Sequence, residues 1–410
     1  MDIERPLPLL GGLSPAQFMR RHWQKKPLLV RGALADALPG LDRHRLFALA
    51  AEDGVESRLV VNGADRWSVR AGPIPRRALP PLARPGWTLL VQGVDLHDDA
   101  AHRLLGRFRF VADARLDDVM LSYASEGGGV GPHIDSYDVF LLQIEGRRRW
   151  RVGPVARPRL RDDVPLKMLA GFVARQEWLL EPGDMLYLPP GWGHDGVAVG
   201  SCITASIGFR APRAVELAAE TLQRLAEAAV DEACEASKAS EASEASEASE
   251  ASEASEAGAG SAKRNPLYAD RGQAAAECPA RVPATLQSFA DAAILRMLGD
   301  AKARRRALGE VLSEPKPGTW FERNESALPG SAVVLDRRTR MLYDDAHVYL
   351  NGESFRASGR DATLMRTLAD QRRLDAAGVR QLGAEARELL ARWNEAGWCT
   401  VDGVDSRRNT

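Results

Sequence analysis

One stretch of the sequence, residues 120–152, restricts the fold more than any other. It reads MLSYASEGGGVGPHIDSYDVFLLQIEGRRRWRV and places His133 and Asp135 at the head of a run rich in β-branched and aromatic residues. Side chains two residues apart on a strand point to the same face, so this imidazole and this carboxylate lie side by side. The stretch therefore predicts β structure that presents two polar ligands together.

A second histidine completes a candidate ligand set. The segment EPGDMLYLPPGWGH ends at His194, and turn residues at 182–184 and 189–191 bracket its strand. Two imidazoles and one carboxylate on a rigid scaffold are the ligands of non-haem Fe(II) oxygenases, which keep open positions for a co-substrate and O2. Because His-x-Asp is a short motif, two structural histidines remain the alternative at this point.

The strand after Gly146 adds an inward-facing cation. In the segment RRRWRV the odd-numbered arginines share one face, and Arg148 shares the apolar face with Trp150 and Val152. A buried guanidinium is costly unless an anion meets it. A dicarboxylate such as 2-oxoglutarate would supply that anion in bidentate geometry. An Asp or Glu of the same barrel is the ordinary alternative.

Closely spaced strands between residues 118 and 210 predict a double-stranded β-helix, the cupin or jelly-roll architecture. The GGGVG run at 127–131 lacks the Lys and Ser or Thr of a phosphate-binding loop and precedes a strand. We therefore expect it to be a turn that delivers His133.

These residues resemble a known family. The runs GGGVGPHIDSYDVFLLQIEGRRRWRVG, EPGDMLYLPPGWGHDG and SIGFRAP, with the earlier HWQKKPLLVRGAL, closely resemble the JmjC-type bacterial ribosomal oxygenases over roughly residues 1–212. Members of that family are cupin-fold enzymes that hydroxylate an arginine of large-subunit ribosomal protein L-sixteen. The resemblance implies that the catalytic centre is Fe(II) held by His133, Asp135 and His194. It also implies 2-oxoglutarate and O2 as co-substrates, with the far carboxylate of 2-oxoglutarate on Arg148.

The resemblance raises a question about the hydroxyl that accompanies this arginine. Relatives commonly place one near the 2-oxoglutarate carboxylate, at the position that aligns with Ala124. Alanine has no hydroxyl to donate, so Ser122, Ser125 or Thr204 is expected to replace it in binding the co-substrate.

Two further residues are candidates for binding the substrate. Tyr137 is placed to pack against the substrate side chain, with a plain barrel aromatic as the equal alternative. Ser206, on the last barrel strand, either bonds the substrate or fills a small inward position. We favour the second, because barrels often alternate small and large residues inside.

Length and composition limit the class of protein. A chain of 410 residues suggests two or three domains, and a net charge of −1 draws it to neither nucleic acid nor a membrane. The start, MDIERPLPLL, lacks a signal-peptide pattern, and the four cysteines lie far apart without a CxxC motif, which indicates a reducing compartment. We expect a cytoplasmic protein with no membrane segment and no direct nucleic-acid partner.

The predicted fold is mixed α+β, in three parts. Residues 1–212 form a JmjC cupin catalytic domain with an N-terminal elaboration. Residues 213–312 are helical, with a Ser-Glu-Ala insert at 237–263 that is predicted to be disordered or a frayed helix. Residues 313–410 carry short strands followed by helices, the order of a winged-helix-like domain. That domain has equal numbers of basic and acidic residues, whereas DNA binders usually show a basic patch.

An apolar stripe marks the second half of the helical region. Its members recur at helical spacing: Leu286, Phe289, Ile294, Leu295 and Leu298. Such a stripe is more often intramolecular core. In the resembled family this region forms a homodimer, so the resemblance implies a dimer.

The sequence thus predicts an Fe(II)- and 2-oxoglutarate-dependent protein hydroxylase that acts on an arginine of ribosomal protein L-sixteen. One alternative is a JmjC oxygenase with a different protein substrate, either a histidine hydroxylase or a lysine demethylase. Another is a non-enzymatic cupin scaffold, which would need neither the ligand set nor the inward arginine.

Overall fold

The computed structural model describes residues 2–34, 40–62, 66–247, 266–269, 280–324 and 331–401. The chain divides into two compact units. The first comprises residues 1–211 with two short later segments, 317–323 and 335–338. The second comprises residues 212–316, 324–334 and 339–410.

The first unit is built on one antiparallel sheet. Its ten described strands are β1 (Leu28–Val30), β2 (Ser57–Asn62), β3 (Trp67–Ala71), β4 (Trp87–Val91), β5 (Leu116–Ala124), β6 (His133–Ile134), β7 (Val139–Pro154), β8 (Gln176–Leu180), β9 (Met185–Leu188) and β10 (Trp192–Phe209). They run in the order β1-β9-β7-β10-β5-β4-β2-β3, with β6 paired to β10 and β8 paired to β7. The predicted cupin architecture is confirmed, and the N-terminal strands extend its sheet.

Three helices of the first unit begin at side-chain caps. They are α1 (Pro15–Arg21), α2 (Arg43–Leu49) and α3 (Asp99–Gly106). Ser14 forms a capping box with Gln17, while Asp42 and Asp98 accept hydrogen bonds from the first turns of α2 and α3. The main core includes Phe18 of α1 and Trp87, Phe140 and Tyr187 of the sheet.

The alternation predicted for RRRWRV is confirmed. Residues 147, 149 and 151 are exposed, whereas Arg148, Trp150 and Val152 are buried. Strand β7 pairs with β10 over most of its length, so Arg148 lies opposite Ala198 and Val152 lies opposite His194. The end of β7 therefore lies beside the end of β10 that carries the candidate ligand His194.

The second unit is mostly helical, with two three-stranded sheets. Its described helices are α4 (Ala214–Glu247), α5 (Ala284–Gly299), α6 (Ala301–Ser313), α7 (Gly359–Gln371), α8 (Ala376–Gln381) and α9 (Ala384–Glu395). Its strands are β11 (Val333–Leu335), β12 (Met341–Tyr343), β13 (His347–Leu350), β14 (Glu353–Arg356), β15 (Arg373–Leu374) and β16 (Cys399–Val401). The sheets are ordered β15-β11-β16 and β12-β13-β14. No helix in the described part of the chain is long and apolar enough to cross a membrane.

The helical region departs from one expectation. Helix α4 continues through Glu247, so the first Ser-Glu-Ala triplets take the helical form that was one of the two alternatives for this insert; residues 248–263 lie outside the described residues. Alanine and glutamate favour helix, and extending a formed helix is far easier than nucleating a new one. The α5 stripe is not intramolecular core, because no residue of α5 is buried.

Candidate active site

Strand pairing brings the three candidate ligands together. His133 on β6 lies directly opposite His194 on β10, and Asp135 follows β6. The imidazole centroids are 4.1 Å apart, and His194 Nε2 lies 3.6 Å from Asp135 Oδ2. One ligand atom from each of the three residues lies within 4.8 Å of the others. This spacing allows one metal ion to contact all three.

Hydrogen bonds to the backbone orient both imidazoles. His133 Nδ1 lies 2.9 Å from the Gly131 carbonyl, and His194 Nδ1 lies 3.1 Å from the Trp192 carbonyl. A carbonyl oxygen only accepts, so each Nδ1 carries the proton and each Nε2 keeps its lone pair. This is the arrangement in which a histidine binds a metal through Nε2.

Burial and neighbouring charges determine the charge states of His194 and Asp135. Burial lowers the pKa of His194 well below its usual value, and the neighbouring His133 lowers it further. His194 is therefore neutral, the form that a metal requires. Burial raises the pKa of Asp135, while the charge of His133 and a hydrogen bond from Tyr137 act in the opposite direction. A cation between these side chains would favour the ionised carboxylate.

Arg148 is buried beside this cluster without an acidic partner. Arg148 is only 4% exposed. Its Nη1 donates to Ser122 Oγ at 3.1 Å and to Thr204 Oγ1 at 3.4 Å. Its Nη2 donates to the Gly196 carbonyl at 3.3 Å, and its Nε has no hydrogen-bond partner in the part of the chain that the structure describes. Among the described residues no carboxylate forms a salt bridge with this guanidinium, so the alternative of an Asp or Glu partner in the barrel is not what the structure contains.

A residue that the sequence patterns did not single out supports this arginine. Gln143 on β7 is buried, and its amide nitrogen donates to the carbonyls of Glu145 at 2.8 Å and Ile203 at 3.2 Å. Its amide oxygen accepts a hydrogen bond from Thr204 Oγ1 at 3.1 Å. Thr204 thus donates to Gln143 and accepts from Arg148. The available signal was a polar residue inside the apolar run VFLLQI.

The structure distinguishes the hydroxyls proposed to replace the one missing at Ala124. Ser122 and Thr204 reach the Arg148 guanidinium. Ser125 is not among the hydrogen-bond partners of this guanidinium in the described residues: its hydroxyl accepts from the Trp87 amide at 3.1 Å and lies 3.3 Å from the Trp87 carbonyl, and its binding of the co-substrate stays a prediction. Ser125 and Ser122 are three residues apart and cannot share a strand face.

The two predicted substrate-binding residues lie in different surroundings. Tyr137 is 39% exposed and hydrogen-bonds to Asp135. Burial and the nearby carboxylates of Asp135, Asp118 and Asp117 raise the pKa of the Tyr137 hydroxyl. Ser206 is buried on β10 opposite Leu141, two residues from Thr204 and hence on the same face. Tyr137 is therefore accessible from solvent, and Ser206 lies within the sheet.

Comparison with known proteins agrees with this description. The sequence matches the JmjC domain family over residues 103–217 and the ROXA-like winged helix over residues 290–400. It is 41% identical over 206 residues to the "Ribosomal protein uL16 3-hydroxylase" of Escherichia coli strain K12, a stretch that covers 50% of this chain and 55% of that protein. It is 36% identical over 211 residues to the "Probable ribosomal oxygenase" of Haemophilus influenzae, covering 49% of this chain and 50% of that one. The matched stretch thus spans about half the length of these curated relatives.

Solved structures match over a larger share of the chain. The X-ray structure of E. coli ycfD aligns with a TM-score of 0.75 at 27% identity and covers 94% of this chain and 97% of its own. A structure of this E. coli ribosomal oxygenase in complex with cobalt and 2-oxoglutarate aligns with a TM-score of 0.71 at 27% identity, covering 95% and 98%.

Fold, ligand geometry and comparisons together define the class: a cupin-fold protein with a region that matches the JmjC domain, a His-Asp-His cluster that could hold a metal ion and a region that matches the ROXA-like winged helix. Within that class, the predicted resemblance to the JmjC-type bacterial ribosomal oxygenases is confirmed.

Proposed function

We propose that this chain is an Fe(II)- and 2-oxoglutarate-dependent protein hydroxylase that acts on an arginine side chain of ribosomal protein uL16. One observation carries the proposal: a three-residue metal-ligand cluster lies beside a buried arginine that has no carboxylate partner among the described residues. When bound, Fe(II) with 2-oxoglutarate and O2 supplies the oxidative chemistry, and succinate and CO2 are the co-products. The protein's own residues bind and orient the reactants.

The donor set fits Fe(II). His133 and His194 each offer Nε2, and Asp135 offers a carboxylate oxygen from the same cluster. Imidazole and carboxylate ligands in a 2:1 ratio suit a divalent iron with open positions. Because both Nδ1 atoms are held by backbone carbonyls, the two rings need little reorientation to bind the metal.

The surroundings of Arg148 fit the far carboxylate of 2-oxoglutarate. Its Nε–H and one Nη2 hydrogen remain available after the hydrogen bonds to Ser122, Thr204 and Gly196 are counted. These two donors are suited to bidentate binding of a carboxylate. A dicarboxylate bound there would provide the counter-charge that the protein itself does not.

A cationic substrate side chain suits the surroundings of Tyr137. Asp117 and Asp118 lie close enough to Tyr137 to influence its hydroxyl, and Asp135 accepts a hydrogen bond from it. Negative potential from these carboxylates at the Tyr137 hydroxyl favours a nearby guanidinium, and the Tyr137 ring offers a face against which the guanidinium can stack. The E. coli relative is named for uL16, and its name does not specify the residue type. A uL16 substrate would place the reaction in the cytoplasm.

A homodimer is the second part of the proposal. Helix α5 exposes Ile294 at 55% and Leu295 at 67%, and Leu286 is also exposed. No residue of α5 is buried, and exposed apolar side chains gathered on one helix favour burial against another protein surface. We expect Leu295→Glu to convert a species of twice the 44.6 kDa chain mass into a monomer in light-scattering chromatography, whereas Ile3→Glu, at a comparably exposed residue of the first unit, should not. A monomeric wild-type protein would contradict this part.

The experiment that tests the hydroxylase uses the full chain with Fe(II), 2-oxoglutarate and a uL16 peptide. Succinate release is measured together with the mass of the peptide. One added oxygen on arginine, lost in His133→Ala and kept in His44→Ala, is the expected result. Oxidation of histidine, or loss of a methyl group from lysine, would instead identify one of the alternative substrates. Absence of turnover by the folded, iron-loaded protein would indicate a scaffold.

A further inference from the structure

Positive charge is concentrated in residues 147–175, which form the second half of β7 and the connection to β8. This stretch contains nine Lys and Arg residues and two acidic residues. The net charge of −1 for the whole chain conceals this cluster, because the helical region 213–312 has more acidic than basic residues. The expectation of no nucleic-acid partner depended on the charge balance of the whole chain and of residues 313–410, and neither includes the local charge of this stretch.

Part of this charge is already neutralised. Arg149 pairs with Glu177 at 3.4 Å, Arg151 pairs with Asp195, and Arg161 pairs with Asp163 at 2.5 Å. Four exposed cations of the connection, residues 155–175, form no salt bridge within the described residues: Arg157, Arg159, Lys167 and Arg175. We call residues 155–175 the basic loop. Its net positive charge faces solvent.

The basic loop is held by its own hydrogen bonds. Leu160 pairs with Leu169 in a β-bridge, Arg161 N donates to Met168 O at 2.8 Å, and Ala170 N donates to Arg159 O at 2.8 Å. Met168 and Leu169 are buried. The exposed cations are therefore attached to an ordered element and do not belong to a solvated tail.

The basic loop also borders the metal site. Leu169 N donates to the Pro132 carbonyl at 2.7 Å, and Pro132 directly precedes the ligand His133. Gly193, which directly precedes the ligand His194, faces Val155, Phe172 and Leu169 so closely that a Cβ there would lie within about 3 Å of each. The cations and the ligands thus share one part of the first unit.

We propose that the basic loop binds the phosphate backbone of RNA beside the active site. Arginine binds phosphate in bidentate geometry, and several cations on one surface are the usual footprint of nucleic-acid binding. The choice of RNA rests on the proposed function, because a ribosomal protein is found on ribosomal RNA. The two neighbouring regions differ in charge: Tyr137 hydrogen-bonds to the carboxylate of Asp135, whereas exposed cations cover the basic loop. A protein–RNA particle offers a guanidinium to the first and phosphates to the second.

The test compares two full-length variants with equal changes of charge. One is R157E/R159E/K167E/R175E. The other is R66E/R70E/R77E/R84E, at four exposed arginines of the same unit that form no salt bridge within the described residues. The probe is a fluorescein-labelled 30-nucleotide RNA hairpin, and the readout is fluorescence anisotropy at several salt concentrations.

The wild-type protein should bind the hairpin with an affinity that falls steeply with salt. The loop variant should bind at least about tenfold more weakly, and its slope of log affinity against log salt should be shallower by about 3, because each lost phosphate contact removes roughly 0.7 to 0.9. The control variant should bind within about threefold of the wild-type protein. An alanine version of the loop variant replaces it if charge reversal prevents folding.

Three results would overturn the proposal: no binding by the wild-type protein at low salt, equal losses in both variants, or competition by polyglutamate as effective as that by RNA. The last would assign the surface to an acidic protein. Hydroxylation of the free uL16 peptide should be unchanged in the loop variant. If the wild-type protein fails to modify the peptide yet binds the hairpin through the loop, the hydroxylase proposal fails and the RNA-binding surface stands.

Discussion

Thr204 donates its hydroxyl hydrogen to the amide oxygen of Gln143, 3.1 Å away, and therefore turns a lone pair toward Arg148. The direction is fixed, because the amide nitrogen of Gln143 is already engaged by two backbone carbonyls. Flipping the amide would place its oxygen against those carbonyls. Gln143 is thus a positioning residue that acts on Arg148 through Thr204.

We expect Gln143→Leu to weaken 2-oxoglutarate binding while leaving the maximum rate nearly unchanged. One lost hydrogen bond of about 1 kcal/mol corresponds to a roughly fivefold rise in KM for 2-oxoglutarate. Thr204→Val should have a similar effect. In the double variant, Gln143→Leu should add little to Thr204→Val, because the hydroxyl through which it acts is already absent.

Steady-state kinetics on the four proteins of this cycle checks the prediction. Ser57→Ala is the control, since it removes a buried hydroxyl that donates to the Ala50 carbonyl and has no contact with Arg148 within the described residues. It should lower stability without raising KM. If Gln143→Leu costs the same in both backgrounds, its role is only structural and the positioning account is wrong.

The variant Arg148→Met should separate the contribution of Arg148 to 2-oxoglutarate binding from its contribution to the stability of the fold. Arg148 is buried without a carboxylate partner among the described residues, and burial lowers the pKa of its guanidinium. Replacing a poorly compensated buried charge by a hydrophobe of similar length is often neutral or stabilising. We expect the free energy of unfolding without ligand to be unchanged or about 1 kcal/mol higher, while the thermal stabilisation by 2-oxoglutarate disappears. Calorimetric melting with and without 2-oxoglutarate measures both, and destabilisation with retained ligand response would contradict the assignment.

Local patterns predicted the parts of the site that depend on local geometry. The two-residue period of a strand placed Arg148 inward with Trp150, and the same rule separates Ser122 from Ser125. Gln143 escaped prediction because its role depends on the register between β7 and β10, which places it opposite Thr204. That register links residues 61 positions apart and is set by packing of the whole sheet.

The helical region shows a different limit of sequence patterns. An apolar stripe indicates that a helix face will be buried, and it does not indicate by which surface. Ile294 and Leu295 lie on the predicted helix and remain exposed in the single chain. Likewise, the Ser-Glu-Ala composition suggested disorder or fraying, while the preceding amphipathic helix extends into the repeat as far as Glu247.

Divalent metal should stabilise the fold through the three ligands. Mn(II), which suits the same imidazole and carboxylate donors, is a redox-stable replacement for Fe(II). At one hundred times its Kd, we expect it to raise the free energy of unfolding by about 2.7 kcal/mol, and EDTA should reverse the gain. His194→Ala should abolish the effect, whereas His44→Ala, at an exposed position of α2, should retain it. An equal metal response in His194→Ala would exclude His194 as a ligand.

His97 should make the first unit sensitive to acid. Burial and the cations of Arg338, Arg337 and Arg45 lower the pKa of this imidazole to about 4, and its ring lies 6.0 Å from that of Trp320. Between pH 6.5 and about 4 the unfolded chain binds the proton and the folded chain does not, so the free energy of unfolding falls as the pH falls through this range. Above pH 6.5 neither state is protonated, and His97 makes no contribution. His97→Gln should therefore flatten the decline seen in urea unfolding at a series of pH values, relative to wild-type protein and to His44→Gln. A decline of the same steepness in all three would show that other groups cause the acid sensitivity.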